Sequence, residues 1–211
     1  MKTKIVVIGG GGQGKVIINT LKRLDNYDIL GYTDLTDKGL VLGTSYLGND
    51  NNLQEIIKEY RNCKAVIGIG SVKISDKREN IYKMLKDIGF DLPVIISKDA
   101  IINEEVFLDE GTVIFDRAIV KVGSNIGKCA IINTGAIIEH DCKINDFVHV
   151  ASGAIVSGGV EVGQNSIIGV GSKIIQYKKI CENCLIGAGS VVIKDIDIDG
   201  TYLGVPVKRL N

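Results

Sequence analysis

Tryptophan is missing from this 211-residue chain, and proline occurs only twice, at Pro93 and Pro206. Charge of one sign is lacking too. The 25 lysines and arginines balance 25 acids, so nothing favours nucleic acid or an anionic membrane surface as a partner. No apolar run reaches the roughly 18 residues that a membrane span needs. The first residues enter a strand directly rather than a basic, apolar leader. The expectation is a cytoplasmic protein with neither membrane span nor signal peptide. Among the five cysteines, Cys181 and Cys184 have C-x-x-C spacing, but no second pair or nearby histidine completes a zinc set, so no metal site is expected. Cys142 and Cys184 read instead as compact apolar filler.

What the chain does have is a period. From Ala100 to Thr201 it divides into hexads: AIINEE, VFLDEG, TVIFDR, AIVKVG and onward. The third position is Ile, Leu or Val at every sixth residue from Ile102 to Ile198, and the first is mostly small. Such a repeat marks a β-helical solenoid, in which each coil buries its large aliphatic against the coils above and below. Each such side chain contributes roughly 1.5–3 kcal/mol of burial before chain entropy is subtracted. Both prolines lie outside the array.

Before the array, the aliphatic run Lys4–Ile8 leads into Gly9-Gly10-Gly11-Gly12-Gln13-Gly14, followed by Val16, Ile17, Ile18 and Leu21 at helical spacing. Strands are expected at Asp28–Thr33, Ala65–Ile69 and Leu92–Ile96, with helices over Leu53–Tyr60 and Ile81–Ile88. This alternation predicts a small Rossmann-like α/β domain over residues 1–97 and an all-β solenoid domain over 98–211. Gly9, Gly11 and Gly14 satisfy G-x-G-x-x-G, and Asp34 ends the second strand. Glycines let a backbone approach a diphosphate at a helix N-terminus, and Asp34 can accept from hydroxyl or imide groups. A nicotinamide cofactor and a UDP-sugar both fit that motif.

Both histidines of the chain lie in the array, at outward positions. If three hexads make one coil, residues eighteen apart stack, and Gly158-Gly159 lie over His140-Asp141. The missing side chains leave space against His140 and expose a backbone N–H, as acyl transfer through an oxyanion requires. The second hexad positions form three outward columns. Two are apolar: Ile101, Ile119, Ile137, Ile155, Lys173, Val191, and Val113, Ile131, His149, Ile167, Leu185. The third, from Phe107 through Lys143 and Glu161 to Asp197, is polar. Both apolar columns are expected to be buried against another subunit. His149 is read either as a site residue or as a hydrogen-bonded interface histidine.

Ile8–Gly14, Tyr32–Asp34, Gly68–Gly70, Asn133–Asp141, His149, Ile186–Ser190 and Gly204–Arg209 together resemble a known family over nearly the whole chain. These are the bacterial nucleotide-sugar N-acetyltransferases and NeuD-type sialic acid O-acetyltransferases of the hexapeptide-repeat superfamily. The resemblance implies a left-handed parallel β-helix, a homotrimer, and acetyl-CoA bound between neighbouring solenoids. It implies His140 as general base, Asp141 as the acid that holds its ring, Asn133 as a polar site residue and Gly158 as donor to the thioester carbonyl. His149, Val170 and Ala188 match acetyl-CoA contacts, and Lys208 with Arg209 stands where CoA phosphates could be met. Gly11, Gly12, Gln13 and Gly14, with Thr33, Asp34 and Gly70, match the sugar-nucleotide site. Gln13 replaces a frequent histidine of the family, Asp141 a frequent glutamate, and Thr33 stands where some N-acetyltransferases carry a second acid. The implied activity is acetyl transfer to the amine of a UDP-linked amino-dideoxy sugar in bacterial glycan or surface-polysaccharide biosynthesis. O-acetylation of a sialic or related acid is the alternative, and a nicotinamide-dependent oxidoreductase a remote one.

Overall fold

In the computed structural model, which describes residues 2–210, the chain forms two compact units. The first holds residues up to Gly70 together with Lys77–Ile95, and the second holds Ser71–Asp76 and everything from Ile96 onward. Within the range read as an N-terminal domain, Ser71–Asp76 therefore groups with the solenoid.

The first unit contains β1 (Thr3–Ile8), α1 (Gly12–Leu24), β2 (Tyr27–Thr33), α2 (Leu53–Glu59), β3 (Lys64–Ile67) and α3 (Lys77–Ile88). Its sheet is parallel, in the order β2-β1-β3, with Ile5 paired to Ile29 and to Lys64. β1 is central and is buried from Ile5 to Ile8, which explains its unbroken aliphatic run. Ile17, Ile18 and Leu21 of α1 are fully buried, while Lys22 and Arg23 sit in the last turn, where the helix dipole favours cations. The helix stops at Asp25, whose φ of 61° is left-handed. The strand expected at Leu92–Ile96 shrinks to Ile95–Ile96 and does not belong to this sheet.

The second unit is a parallel β-solenoid of two-residue strands on three faces. The first face stacks Val113–Ile114, Ile131–Ile132, His149–Val150, Ile167–Ile168 and Cys184–Ile186. The second stacks Ile101–Ile102, Ile119–Val120, Ile137–Ile138, Ile155–Val156, Lys173–Ile174 and Val191–Val192. The third runs from Phe107–Leu108 through Lys143–Ile144 to Lys179–Ile180. Pairs such as Ile131↔His149 and Ile137↔Ile155 have the eighteen-residue offset expected. The second residue of each strand points inward, and the core runs without interruption from Ile114 through Ile144 to Val192.

Two expectations about the array are corrected. The hexad phase fails in the last coil, where Ile180 bridges to Ile196 and not to Ile198. Ile196 is 4% exposed and Ile198 58%. The coil is two residues short because the chain leaves it for a hairpin, Gly200–Gly204 with Val207–Arg209, that extends the first face. The second correction concerns the apolar column Val113, Ile131, His149, Ile167, which is already buried within the single chain. Ser71–Asp76 covers part of it: Ser71 O accepts a hydrogen bond from His149 Nδ1 at 2.9 Å. The column on the second face is only partly covered: Ile101 is 53% exposed, and Ile119, Ile137 and Ile155 are half-buried.

Candidate active site

The glycine turn leaves β1 and enters α1 at the central strand of the sheet, the position where open α/β sheets bind ligands. Its glycines divide by function. A Cβ on Gly14 would lie 2.0 Å from Gly9 O, and one on Gly10 2.3 Å from the Tyr32 ring, so these positions let backbone and ring close together. Gly11 and Gly12 would place a Cβ in open space. They line a cavity of about 350 Å³ with Gly10, Lys15, Lys38, Leu40, Val41 and Leu42. No side chain caps α1 at Gly11, so its first N–H groups remain directed at that space. Lys15 and Lys38 add positive charge and the aliphatics an apolar wall.

Asp34 is held by this loop. Its Oδ2 accepts from Gly10 N at 2.8 Å and its Oδ1 from Thr36 N at 3.3 Å. Burial alone would raise its pKa, yet backbone N–H groups of Gly10, Thr36 and Leu35 and the charge of Lys38 hold it below the usual carboxylate range. Part of its accepting capacity is therefore spent on shaping the turn. Thr33 is fully buried and donates to Asp50 Oδ1 at 2.7 Å. Gln13 points towards Gly70, and its buried Nε2 has no hydrogen-bond partner among the described residues.

On the solenoid the site residues separate into two corners. His140, Asp141 and Gly158 stand at the turn after the second face. His140 Nδ1 donates to Asp141 Oδ2 at 2.8 Å, which leaves Nε2 as the acceptor nitrogen. A Cβ on Gly158 would lie 2.4 Å from that Nε2, so glycine there makes room for the ring. Gly159 N donates to His140 O at 2.9 Å and locks the two coils, while Gly158 N–H meets no acceptor among the described residues. His140 is about half exposed at its side chain, 48%. His140 Nε2 thus lies against Gly158, on a side chain that stays about half open to solvent.

Asn133, Val170 and Ala188 stand at the turn after the first face, and His149 on the strand that leads to it. There they line a cavity of about 270 Å³ with Ser71, Val72, Ala151, Ser152, Ile167, Gly169, Leu185, Ile186 and Gly187. Both ring nitrogens of His149 are engaged. Nδ1 donates to Ser71 O, so Nε2 accepts from Asn133 Nδ2 at 3.2 Å. Asn133 Oδ1 takes the Thr134 N–H at 2.8 Å. Asn133, read as a polar residue of the site, and His140 stand at different corners of one chain, separated by the strand Ile137–Ile138. Five or six near-extended residues make that roughly 16–20 Å.

Arg209 is tied to Asp199 O through Nε and Nη2, at 3.0 and 2.7 Å, and Lys208 is exposed; neither lines the cavity. Ser71 and Val72 were not anticipated, and no periodic signal marks them. Buried Cys142 has its thiol pushed up to about 11 by desolvation, which fits a filler and not a nucleophile. Among the described residues no three His, Cys, Asp or Glu side chains are grouped to hold a metal ion.

The family model of the PglD N-terminal domain matches residues 4–85. A variant of perosamine N-acetyltransferase from Caulobacter crescentus, in complex with CoA and GDP-perosamine, is 31% identical with a TM-score of 0.93, covering 99% of this chain and 97% of that one. The acetyltransferase domain of PglB from Neisseria gonorrhoeae FA1090, in complex with acetyl coenzyme A, is 30% identical with a TM-score of 0.91 over 100% of both chains. WeeI from Acinetobacter baumannii AYE is 25% identical with a TM-score of 0.87, covering 99% of this chain and 100% of that one. No curated protein matches the chain by sequence.

Proposed function

Because the chain belongs to the family of hexapeptide-repeat sugar N-acetyltransferases, we propose that it moves acetyl from acetyl-CoA to the amine of a nucleotide-linked amino-dideoxy sugar. The observation that carries this reading is the pairing of His140 with Asp141 beneath Gly158. A neutral amine attacks the thioester carbonyl as His140 Nε2 takes its proton. The N–C bond forms and the carbon–sulfur bond breaks. CoA leaves as thiolate and collects the proton from His140. Asp141 holds the ring tautomer and steadies the imidazolium, and Gly158 N–H stabilises the oxyanion. Such a donor is worth roughly 3–4 kcal/mol.

The separation of the two corners supports a site shared between copies. The cavity at Asn133 and His149 lies a full side of the coil from His140, so acyl transfer needs the cavity of one copy beside His140 of another. The column of exposed Ile101 and half-buried Ile119, Ile137 and Ile155 supplies an apolar face for that association. A cyclic trimer joins each cavity corner to a neighbour's His140 corner by one repeated contact. The glycine-loop cavity, with its two lysines and open helix start, suits the acceptor's diphosphate.

The test is an acceptor screen with acetyl-CoA. It offers UDP-, GDP- and dTDP-linked 4-amino-4,6-dideoxy sugars and free sialic acid, and measures CoA release. Acetylation of an amino sugar is expected. The sequence resemblance points to UDP, the Caulobacter relative was solved with a GDP-sugar, and relative kcat/KM names the base. Turnover of sialic acid alone would replace N- by O-acetylation, and no turnover with any acceptor would sink the reading.

A further inference from the structure

Tyr177 takes no part in the site described so far, and burial does not explain it. Its φ of 58° is left-handed, uncommon for a bulky residue. Phe147 has the same conformation at an equivalent turn but is only 9% exposed; Tyr177 is 68% exposed. A Cβ on Gly159 would lie 2.4 and 2.6 Å from Tyr177 Cδ1 and Cε1, so the ring rests directly on that glycine. One residue away the His140 imidazole rests on Gly158 in the same manner. Consecutive Cα atoms are about 3.8 Å apart. The base and an open aromatic face therefore lie over adjacent residues of the Gly158-Gly159 turn, one from the coil before it and one from the coil after, the latter fixed by the Tyr177 N–H bond to Gly158 O at 2.9 Å.

We infer that Tyr177 packs against the cysteamine arm of the acyl-CoA donor, one coil beyond the reacting carbonyl. The inference rests on the two-copy site proposed above. In a cyclic assembly with parallel solenoid axes, coil levels match between copies. The cavity corner of one copy climbs from Asn133 and His149 to Ala188, and the facing corner climbs from His140 through Gly158 to Tyr177. A thioester that reaches His140 from the Ala188 end passes Tyr177 first. One coil is roughly 4.8 Å, the reach of the thioester sulfur and the two methylenes that follow it.

Tyr177→Ala and Tyr177→Phe, with assembly checked by sedimentation velocity, are compared with wild type on acetyl-CoA and on S-acetyl-N-acetylcysteamine. Tyr177→Ala is expected to raise the KM for acetyl-CoA roughly 10-fold, leaving acceptor KM and kcat within about 2-fold. The same loss should persist with the truncated thioester, and Tyr177→Phe should behave as wild type because the ring face makes the contact. A rise confined to acceptor KM, a loss that vanishes with the truncated donor, or no loss overturns the inference while acetyl transfer stands. A wild type that does not use acetyl-CoA overturns both.

Discussion

At the scale of residues, the proposed chemistry rests on two ring nitrogens and one missing side chain. With His140 Nδ1 committed to Asp141, Nε2 is the atom free to accept a proton. His140→Ala is expected to lower kcat by roughly 10²–10⁴-fold with acetyl-CoA affinity unchanged by calorimetry. Gly158→Ala should do comparable damage for a different reason, because its methyl would occupy the place of Nε2. Its thermal midpoint should stay near wild type, since the ring can swing outward. A fully active Gly158→Ala would mean that the imidazole does not work where it is seen. His149 presents the opposite case. Ser71 O and Asn133 Nδ2 use both ring nitrogens, so it acts as a tie within the first face. That favours the hydrogen-bonded reading of this histidine over one in which a ring nitrogen meets the donor.

At the scale of elements, the glycine turn separates folding from binding. Gly12→Val puts its side chain into open space, so the domain should keep its stability and lose sugar-nucleotide affinity, with acetyl-CoA binding retained. Gly14→Val would collide with Gly9 O and should unfold the domain instead. Equal loss of both ligands in a well-folded Gly12→Val would mean that the two sites are not divided in this way. Asp34 adds a pH dependence. Its folded pKa is depressed, so its contribution is complete above the ordinary carboxylate value and is lost as pH falls through the lowered one. The thermal midpoint should therefore drop on acidification below about pH 4, and drop less steeply in Asp34→Asn, whose amide oxygen still accepts one N–H. Parallel slopes in the two proteins would assign the acid sensitivity to other carboxylates.

At the scale of the whole molecule, the partly covered apolar column of the second face is where association is expected. Ile137→Glu would desolvate a charge without a partner if that column is buried between copies. It should reduce the proposed trimer to monomer in sedimentation velocity and abolish acetyl transfer with it. Lys143→Gln, on the polar face, removes an exposed ion pair with Glu161 at 3.0 Å and should change neither. A fully active monomeric Ile137→Glu would place the entire active site within one chain. Ile167→Glu is no probe of assembly, because Ile167 is already buried in its own chain and a charge there attacks the fold.

The sequence by itself determined the solenoid, its inward column and the stacking of Gly158 on His140. A β-solenoid places each residue beside the one eighteen further on, so its contacts are written at one separation and can be read from the period. The strand–glycine–helix unit was legible for a similar reason, since its contacts lie within a few residues. Tertiary structure decided the rest. Ser71 reaches His149 across a separation of 78 residues, which no periodicity encodes, and that contact helps bury a column expected to face another subunit. Asn133 and His140 lie close in sequence, yet a strand that spans one side of the coil carries them to different corners. Which glycines leave open space also depended on packing, because a Cβ on Gly10 or Gly14 would meet Tyr32 or the Gly9 carbonyl, whereas one on Gly11 or Gly12 would meet nothing within 4 Å. The last coil slipped by two residues where the terminal hairpin began to compete for the first face, and a local period cannot foresee where its own repetition stops.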